Sequence, residues 1–386
     1  MGALVRPARP VPLQRVLERP PAEHAPPARR TPYLLLDVGA AVTRYRRLAA
    51  ALPGTELHYA VKANPHPALL AALAAAGCRF DVASPTEVRA TLSAGAAADQ
   101  LVYSNPVKHR TDVTTAASLG VRTFVVDSLA ETVKVADVAP GSSVLCRIAT
   151  SGAGSDWSLS RFGCPPAQAM QVLRTAARRG LTAAGIAFHV GSQQRDPGAW
   201  DAPIGDAAAI LAALGVDDLS RWTIDLGGGF PARLEGEVPP LECYGAAIEL
   251  SLRRHFGTER PRTIAEPGRG LVADAGALVA EVIAVVDRGG TRVVHLDAGV
   301  FTGLVETLDE AIRYRIRTTA DGGPTGACVL VGPSCDSADV LYRKQPVLLP
   351  LSLREGDTVQ LLAAGAYTSC YSTAFNGFDP LPTRLV

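Results

Sequence analysis

From Thr31 onward, short apolar runs alternate with longer stretches whose apolar positions recur at helical spacing. The segment "TPYLLLD" reads as a strand, Val42 to Ala51 as a helix, "LHYAVKA" as a strand, and "PALLAALAAAG" as a helix closed by Gly77. "RFDVAS", "LVYSNP", "TFVVD" and "SVLCRIAT" follow as strands, the first three leading into helical stretches and the last into a loop at 151–163. Next come "GIAFHVGS", an Ala-rich helix over 199–214, "TIDLGGG", a helix around 243–255, and "TIAEPGR". Roughly eight strand-helix units in roughly 230 residues have the rhythm of a parallel (β/α)8 barrel of the TIM type. A doubly wound open sheet would alternate in the same way. The barrel is favoured because Lys62, Asp81, His189, Gly227 to Gly229 and Glu266 all fall at the C-terminal ends of different strands, which a barrel gathers on one face.

After about residue 275 the rhythm breaks. "GALVAEVIAVVDRG", "TRVVHLDAG", "ACVLVGP", "QPVLLP" and "DTVQLLAAG" read as strands separated by Gly, Pro and Asp turns, with one short helix around 304–312. The chain is therefore expected to be α/β, with a TIM-like barrel over 31–275 and a mostly antiparallel C-terminal β domain over 276–386. The boundary falls near Ala273 to Gly276, and the first strand, 31–37, is able to join the β domain. Residues 1–30, rich in Pro, Arg and Ala, read as a flexible N-terminal arm.

Composition narrows the function classes. With 386 residues and 47% hydrophobic content the chain can bury a large core, and two domains suit that length. Its 38 basic and 37 acidic residues nearly cancel, which argues against nucleic acid or an anionic membrane as the main partner. Seven cysteines, 78, 146, 164, 243, 328, 335 and 370, show no CxxC spacing, so free thiols and a cytoplasmic location are expected. There is no signal-peptide core and no apolar run of about 18 residues, so neither secretion nor membrane insertion is expected.

Each chemical signal has a plain reading and a sharper one. A lysine at a strand end, such as Lys62, ordinarily snorkels to water; in a barrel mouth, desolvation would instead make it a nucleophile for an aldehyde. "DLGGGFP" is a flexible turn, or else a place where side-chain-free backbone lets a phosphate reach several N–H groups, with the Ser192 hydroxyl at another strand end. "EPGRG" (Glu266, Pro267, Gly268, Arg269) gives at least a surface ion pair, and at most a phosphate ligand plus a partner for a protonated ring nitrogen. His189 is by default a satisfied rim residue, and without a second His or Cys at ligand spacing no metal site is expected. In "GPSCDSADVL", Cys335 is a small hydrophobe, or a proton donor beside the cation-binding carboxylate of Asp336. "GAYTSCYSTAFNGF" adds Tyr367 and Phe375. Together, a Schiff-base lysine, a phosphate cradle (Ser192, the Gly run, Arg269, Tyr367) and a carboxylate for a pyridinium describe a pyridoxal 5'-phosphate site. No Walker-type loop, GxGxxG after the first strand or GxSxG competes with it.

"YAVKAN", "FDVAS", "HVGSQ", "DLGGGFP", "EPGR", "GPSCDSADVL" and "GAYT…FNGF" occur in the order seen in the alanine-racemase-like barrel decarboxylases. From about Pro32 to the C-terminus the chain resembles the eukaryotic-type ornithine decarboxylase family. That resemblance implies that Lys62 holds the cofactor as a Schiff base, that Glu266 keeps its ring nitrogen protonated and that His189 stacks on the ring. Asp81 and Arg147 would line the site, and Ser192, Gly229, Arg269 and Tyr367 would bind the phosphate. Cys335 would protonate Cα, and its segment would reach across a head-to-tail homodimer into the partner's site.

Asp336 would pair with the distal ammonium of a basic amino acid, near Phe375. A second acid falls at Asp309 or Glu310 in "LVETLDEAI", a departure from the family's usual Tyr-Asp pair. The activity implied is decarboxylation of L-ornithine to putrescine and CO2 in polyamine biosynthesis, with L-lysine, both amino acids, or a specialised pathway as alternatives. A catalytically dead regulatory homologue is the rival from another class, but such a protein would have lost the lysine, the Gly run or the cysteine, and all are present here. The role of Arg161, before Phe-Gly, stays open.

Overall fold

The computed structural model describes residues 30–157 and 162–386. The arm at 1–29 and Arg161 lie outside the described residues. Two compact units are distinguished, one over 42–272 and one combining the described residues up to Ala41 with Ala273–Val386.

In the first unit, β2 (Thr55–Ala60), β3 (Arg79–Val82), β4 (Leu101–Tyr103), β5 (Thr123–Val126), β6 (Ser143–Arg147), β8 (Thr182–Ala187), β10 (Thr223–Asp225) and β11 (Arg262–Ala265) form a closed parallel barrel. Closure through β11–β2 and β10–β8 separates it from an open sheet. Val102, Val125, Leu145, Ala187 and Ile264, one from each of five strands, fill an interior layer. Burying a Val, Leu or Ile side chain fully contributes about 1.5–3 kcal/mol.

The helices start where local chemistry demands it. Ser84 accepts from Glu87 N (3.2 Å) while Glu87 reaches back to Ala83 N (2.6 Å), and Pro85 opens the helix Pro85–Ser93. Ser128 caps Leu129–Val138 through Glu131 N in the same way.

Two strands end earlier than their apolar pattern suggests. "LHYAVKA" stops at Ala60, whose N–H bonds Pro267 O (3.2 Å), and Lys62 lies in the 3-10 turn Val61–Ala63. "GIAFHVGS" stops at Ala187. Its Ser192 opens a short strand, β9 (Ser192–Gln194), paired with β7 (Ser155–Trp157).

The second unit holds a nine-stranded sheet. Its spine, β12 (Gly276–Arg288), pairs antiparallel with β1 (Tyr33–Leu36), β13 (Thr291–Leu296) and β18 (Thr358–Leu362). The sheet is mixed, because β13 runs parallel to β15 (Thr325–Val331) and β1 parallel to β19 (Thr383–Leu385). β14 (Arg315–Thr318), β16 (Val340–Leu341) and β17 (Val347–Pro350) complete it. The short helix expected around 304–312 is a 3-10 helix, Val305–Glu310. Among the described residues no helix is long and apolar enough to cross a membrane, and no group of three or more His, Cys, Asp or Glu could hold a metal.

Candidate active site

The barrel brings most of the expected residues to the ends of neighbouring strands. Lys62, half exposed, places Nζ 3.8 Å from the buried carboxylate of Asp81 at the end of β3. Glu266 follows β11, and its Oε1 takes a short hydrogen bond from the Ser104 hydroxyl, beyond β4. On another side Glu266 meets the Asp225 carboxyl, which ends β10 and accepts from Gly227 N at 2.9 Å. Burial, then the charges of Asp225 and Asp81, push the Glu266 carboxyl well above the usual carboxylate range. Burial likewise raises Asp225 to about 7. Glu87, helped by Asp81, is also raised to about 7, mainly by burial.

The three glycines are required by close approach. A Cβ on Gly227 (φ +64°) would stand 2.0 Å from Phe188 O, and one on Gly229 (φ +108°) 2.6 Å from Gly191 O. The Gly228 Cβ position lies 2.7 Å from Glu266 O and 3.5 Å from His189 Nε2. The turn is thus threaded between the exits of β8 and β11, and Glu266 N bonds Gly227 O at 2.8 Å.

His189 Nδ1 accepts from Gly191 N at 2.9 Å. Burial, with the positive charges of Arg147 and Lys62, drives its imidazole down to about 3, so the ring stays neutral at working pH. Arg269, buried, has its guanidinium 3.3–3.4 Å from Ser192 Oγ.

In the second unit, Cys335 and Asp336 are exposed in the turn after β15, with Cys335 at φ +60°. Buried Asp339 holds that turn, its carboxylate accepting from Ser334 N (3.1 Å), Ser334 Oγ (2.6 Å) and Val300 N (2.7 Å). Asn376 Nδ2 donates to Ser334 O (2.6 Å), and Phe375 packs on Phe301 at 4.4 Å between centroids. Cys335, Asp336 and Phe375 therefore belong to one cluster. Tyr367 (φ +55°) stacks with Tyr371. The Glu310 carboxylate is engaged by Arg313 (3.0 Å), Lys344 N and Gln345 N (3.1 Å). The Asp309 side chain lies outside the described residues.

Ser104, Asp225, Glu87 and Asp339 were not singled out by sequence reasoning. Asp225 and Asp339 sit inside the quoted motifs; the signal for Asp225 was a carboxylate ending an apolar strand, and for Asp339 a carboxylate just before one. Ser104 had no signal in the sequence, because its partner is 162 positions away.

The barrel residues fit a phosphorylated aromatic aldehyde. A primary amine stands beside a carboxylate, a neutral imidazole packs on a glycine turn with no room for side chains, and a buried guanidinium adjoins a hydroxyl. The family described as "Pyridoxal-dependent decarboxylase, pyridoxal binding domain" matches residues 38–273. The chain is 34% identical over 355 residues to a lysine/ornithine decarboxylase of Selenomonas ruminantium, covering 92% of this chain and 89% of that protein. It is 31% identical over 364 residues to a chloroplastic ornithine decarboxylase of Nicotiana glutinosa, covering 91% and 82%. The lysine/ornithine decarboxylase of Vibrio vulnificus, solved with putrescine and with cadaverine, superposes with a TM-score of 0.82 at 34% identity over 92% of this chain and 94% of that one. Barrel, strand-end chemistry and relatives converge: the chain belongs to the pyridoxal-phosphate-dependent decarboxylases of basic amino acids.

Proposed function

We propose that the protein decarboxylates L-ornithine to putrescine and CO2 as a head-to-tail homodimer. The observation that carries the choice of a basic substrate is the exposed Cys335–Asp336 turn, in which a carboxylate is held beside a thiol by Asp339. Lysine is the second reading, supported by the Selenomonas and Vibrio relatives, whose names include both amino acids. One methylene discriminates by only about 1–3 kcal/mol.

Pyridoxal phosphate, when bound, supplies a carbonyl for the substrate amine and a ring that accepts the electrons of the breaking Cα–carboxylate bond. Lys62 provides the amine that anchors the cofactor, and Asp81 keeps that amine in place. Glu266 would partner the ring nitrogen and favour its protonated form, while neutral His189 would present an uncharged face to the ring. Arg269, Ser192 and the Gly229 backbone would hold the phosphate, with Tyr367 as a further ligand, while the Gly227 amide is taken by Asp225. Pro267 and Gly268 shape the turn carrying Arg269, and Arg147 adds positive charge. Cys335 Sγ, contributed to the neighbouring subunit's site, gives its proton to Cα after CO2 departs. Asp336 pairs with the distal ammonium and Phe375 bounds the pocket. Asp309 or Glu310 would supply the second acid for that end of the substrate, the Glu310 carboxylate being oriented by Arg313 and two backbone amides.

The test is CO2 and diamine release from ornithine, lysine and diaminopimelate. Release from diaminopimelate alone overturns the reading, and faster release from lysine replaces the first substrate with the second. Mixing inactive Lys62→Ala and Cys335→Ala proteins should restore roughly a quarter of the activity if sites are shared in a dimer; no recovery rejects sharing.

A further inference from the structure

We infer that Ser104 and Asp225 are positioning residues for Glu266, the Ser104 hydroxyl fixing one carboxyl oxygen while Asp225 shares a single proton with Glu266 and ties that proton to the glycine turn. The inference rests on the reading of Glu266 as the partner of the cofactor's ring nitrogen.

The geometry leaves little choice. Ser104, Asp225 and Glu266 come from the ends of three different strands, β4, β10 and β11, yet the two carboxyls are within hydrogen-bonding reach and the hydroxyl is bonded to Glu266. A carboxyl–carboxyl hydrogen bond needs a proton, since two carboxylates present only acceptors. Asp225 is 1% exposed, and one of its oxygens is taken by Gly227 N, so Asp225 cannot swing away.

The charged groups around the pair are Asp81 at the end of β3, Lys62 after β2 and Arg147 at the end of β6, with neutral His189 packed against Gly228. Asp81 discourages a second negative charge, while Lys62 and Arg147 favour one. Burial outweighs the cations and raises both carboxyls. The contact between the two carboxyls thus calls for a proton between them, which burial favours. Toward a basic ring nitrogen, Glu266 would be the proton donor, one O–H bond breaking as one N–H bond forms, and Asp225 would then back a charged Glu266. Asp225 also couples this event to the cofactor's phosphate end, because the Gly227 amide it holds begins the turn at 227–229.

The test uses full-length protein reconstituted with pyridoxal phosphate, reading the absorbance of the bound cofactor against pH, its dissociation constant, and kcat and KM. Asp225→Asn keeps an acceptor for Gly227 N and a donor for Glu266 but has no proton to lose. If the shared proton governs the cofactor's absorbance, the pH-dependent transition of the wild-type spectrum should disappear, kcat should fall roughly tenfold, the size of one hydrogen bond to a charged group, and KM should stay within about twofold. Ser104→Ala removes a bond that favours the charged carboxyl, so the transition should move to higher pH, and Ser104→Thr should restore it. Wild-type titration in both Asp225→Asn and Ser104→Ala overturns the inference. If Asp225→Asn does not fold, the Ser104→Ala and Ser104→Thr pair decides it alone. Glu266→Gln separates the underlying reading: an unchanged spectrum and kcat there rejects Glu266 as the ring partner. Loss there, with normal Asp225→Asn and Ser104→Ala, rejects only the present inference.

Discussion

The two units meet the same demand for unusual backbone in opposite ways. In the barrel, the turns beside the site reach positive φ mainly with glycines, Gly191, Gly227 and Gly229, Gln193 (φ +55°) being the non-glycine there, and the candidate side chains sit at or just beyond strand ends. In the C-terminal unit the candidate residues themselves occupy that region: Cys335, Glu310 and Tyr367 lie near φ +60°, with Tyr342, Ala363 and Asn376. A non-glycine residue there costs about 1–2 kcal/mol. The barrel thus makes room for a ligand by omitting side chains, whereas the second unit aims side chains by bending the chain and holding it with hydrogen bonds such as those of Asp339.

The largest break in this contrast should come from Gly227→Ala. Its methyl would meet Phe188 O at 2.0 Å on a left-handed backbone, so a loss of about 3 kcal/mol or more is expected in chemical denaturation. A wild-type midpoint would show that the turn can yield. Next is Asp339→Asn, which sets an NH2 group against the Ser334 N–H and O–H. About 1–3 kcal/mol should be lost, and kcat should drop while the cofactor's dissociation constant holds; equal loss of both would place Asp339 outside the turn's control.

Buried charge in the barrel gives a smaller effect. Lys108 is enclosed by Val125 O (2.7 Å), Asn105 O (2.9 Å) and Glu131 (2.9 Å), and burial lowers its ammonium to about 8. Between pH 8 and about 10.4 the unfolded chain holds a proton that the folded chain has released, so this group's contribution to stability rises with pH across that window. From pH 8 to 9 the gain should be on the order of 1 kcal/mol in the wild type and absent in Lys108→Met. A parallel rise in both proteins assigns it elsewhere. The smallest effects are Cys335→Gly and Ala363→Gly, which relieve strain but loosen the unfolded chain, for a net gain of at most about 1 kcal/mol. Activity should vanish in the first and persist in the second. Destabilisation by both would mean that the bent backbone carries no strain.

The barrel was legible because its strand–helix alternation is local, and Lys62, the glycines and Glu266, each ambiguous alone, drew attention by gathering at strand ends. The end of β2 at Ala60 was not legible, since a carbonyl from Pro267 decides it. Ser104 and Asp225 escaped notice for the same reason, because their importance exists only once β4, β10 and β11 are side by side. In the second unit the apolar strands could be read, but β14 and β19 are short and charged, and the parallel pairing of β13 with β15 follows from long-range topology. For the second acid the sequence left Asp309 and Glu310 open; the hydrogen bonds of Glu310 to Arg313 and to the 344–345 backbone were not legible, because the latter depend on a fold that brings residues 34 positions apart together.

The pairing of Tyr33 with Val279 has a consequence for synthesis. β1 leaves the ribosome about 240 residues before its partner β12, which at 5–20 residues per second is on the order of tens of seconds. During that interval "YLLL" is an apolar strand without its sheet, while every strand of the barrel can already be present. The nascent chain must therefore carry an unpaired edge past a folding barrel, and it is this strand, rather than the barrel, that a holdase chaperone would have most reason to cover.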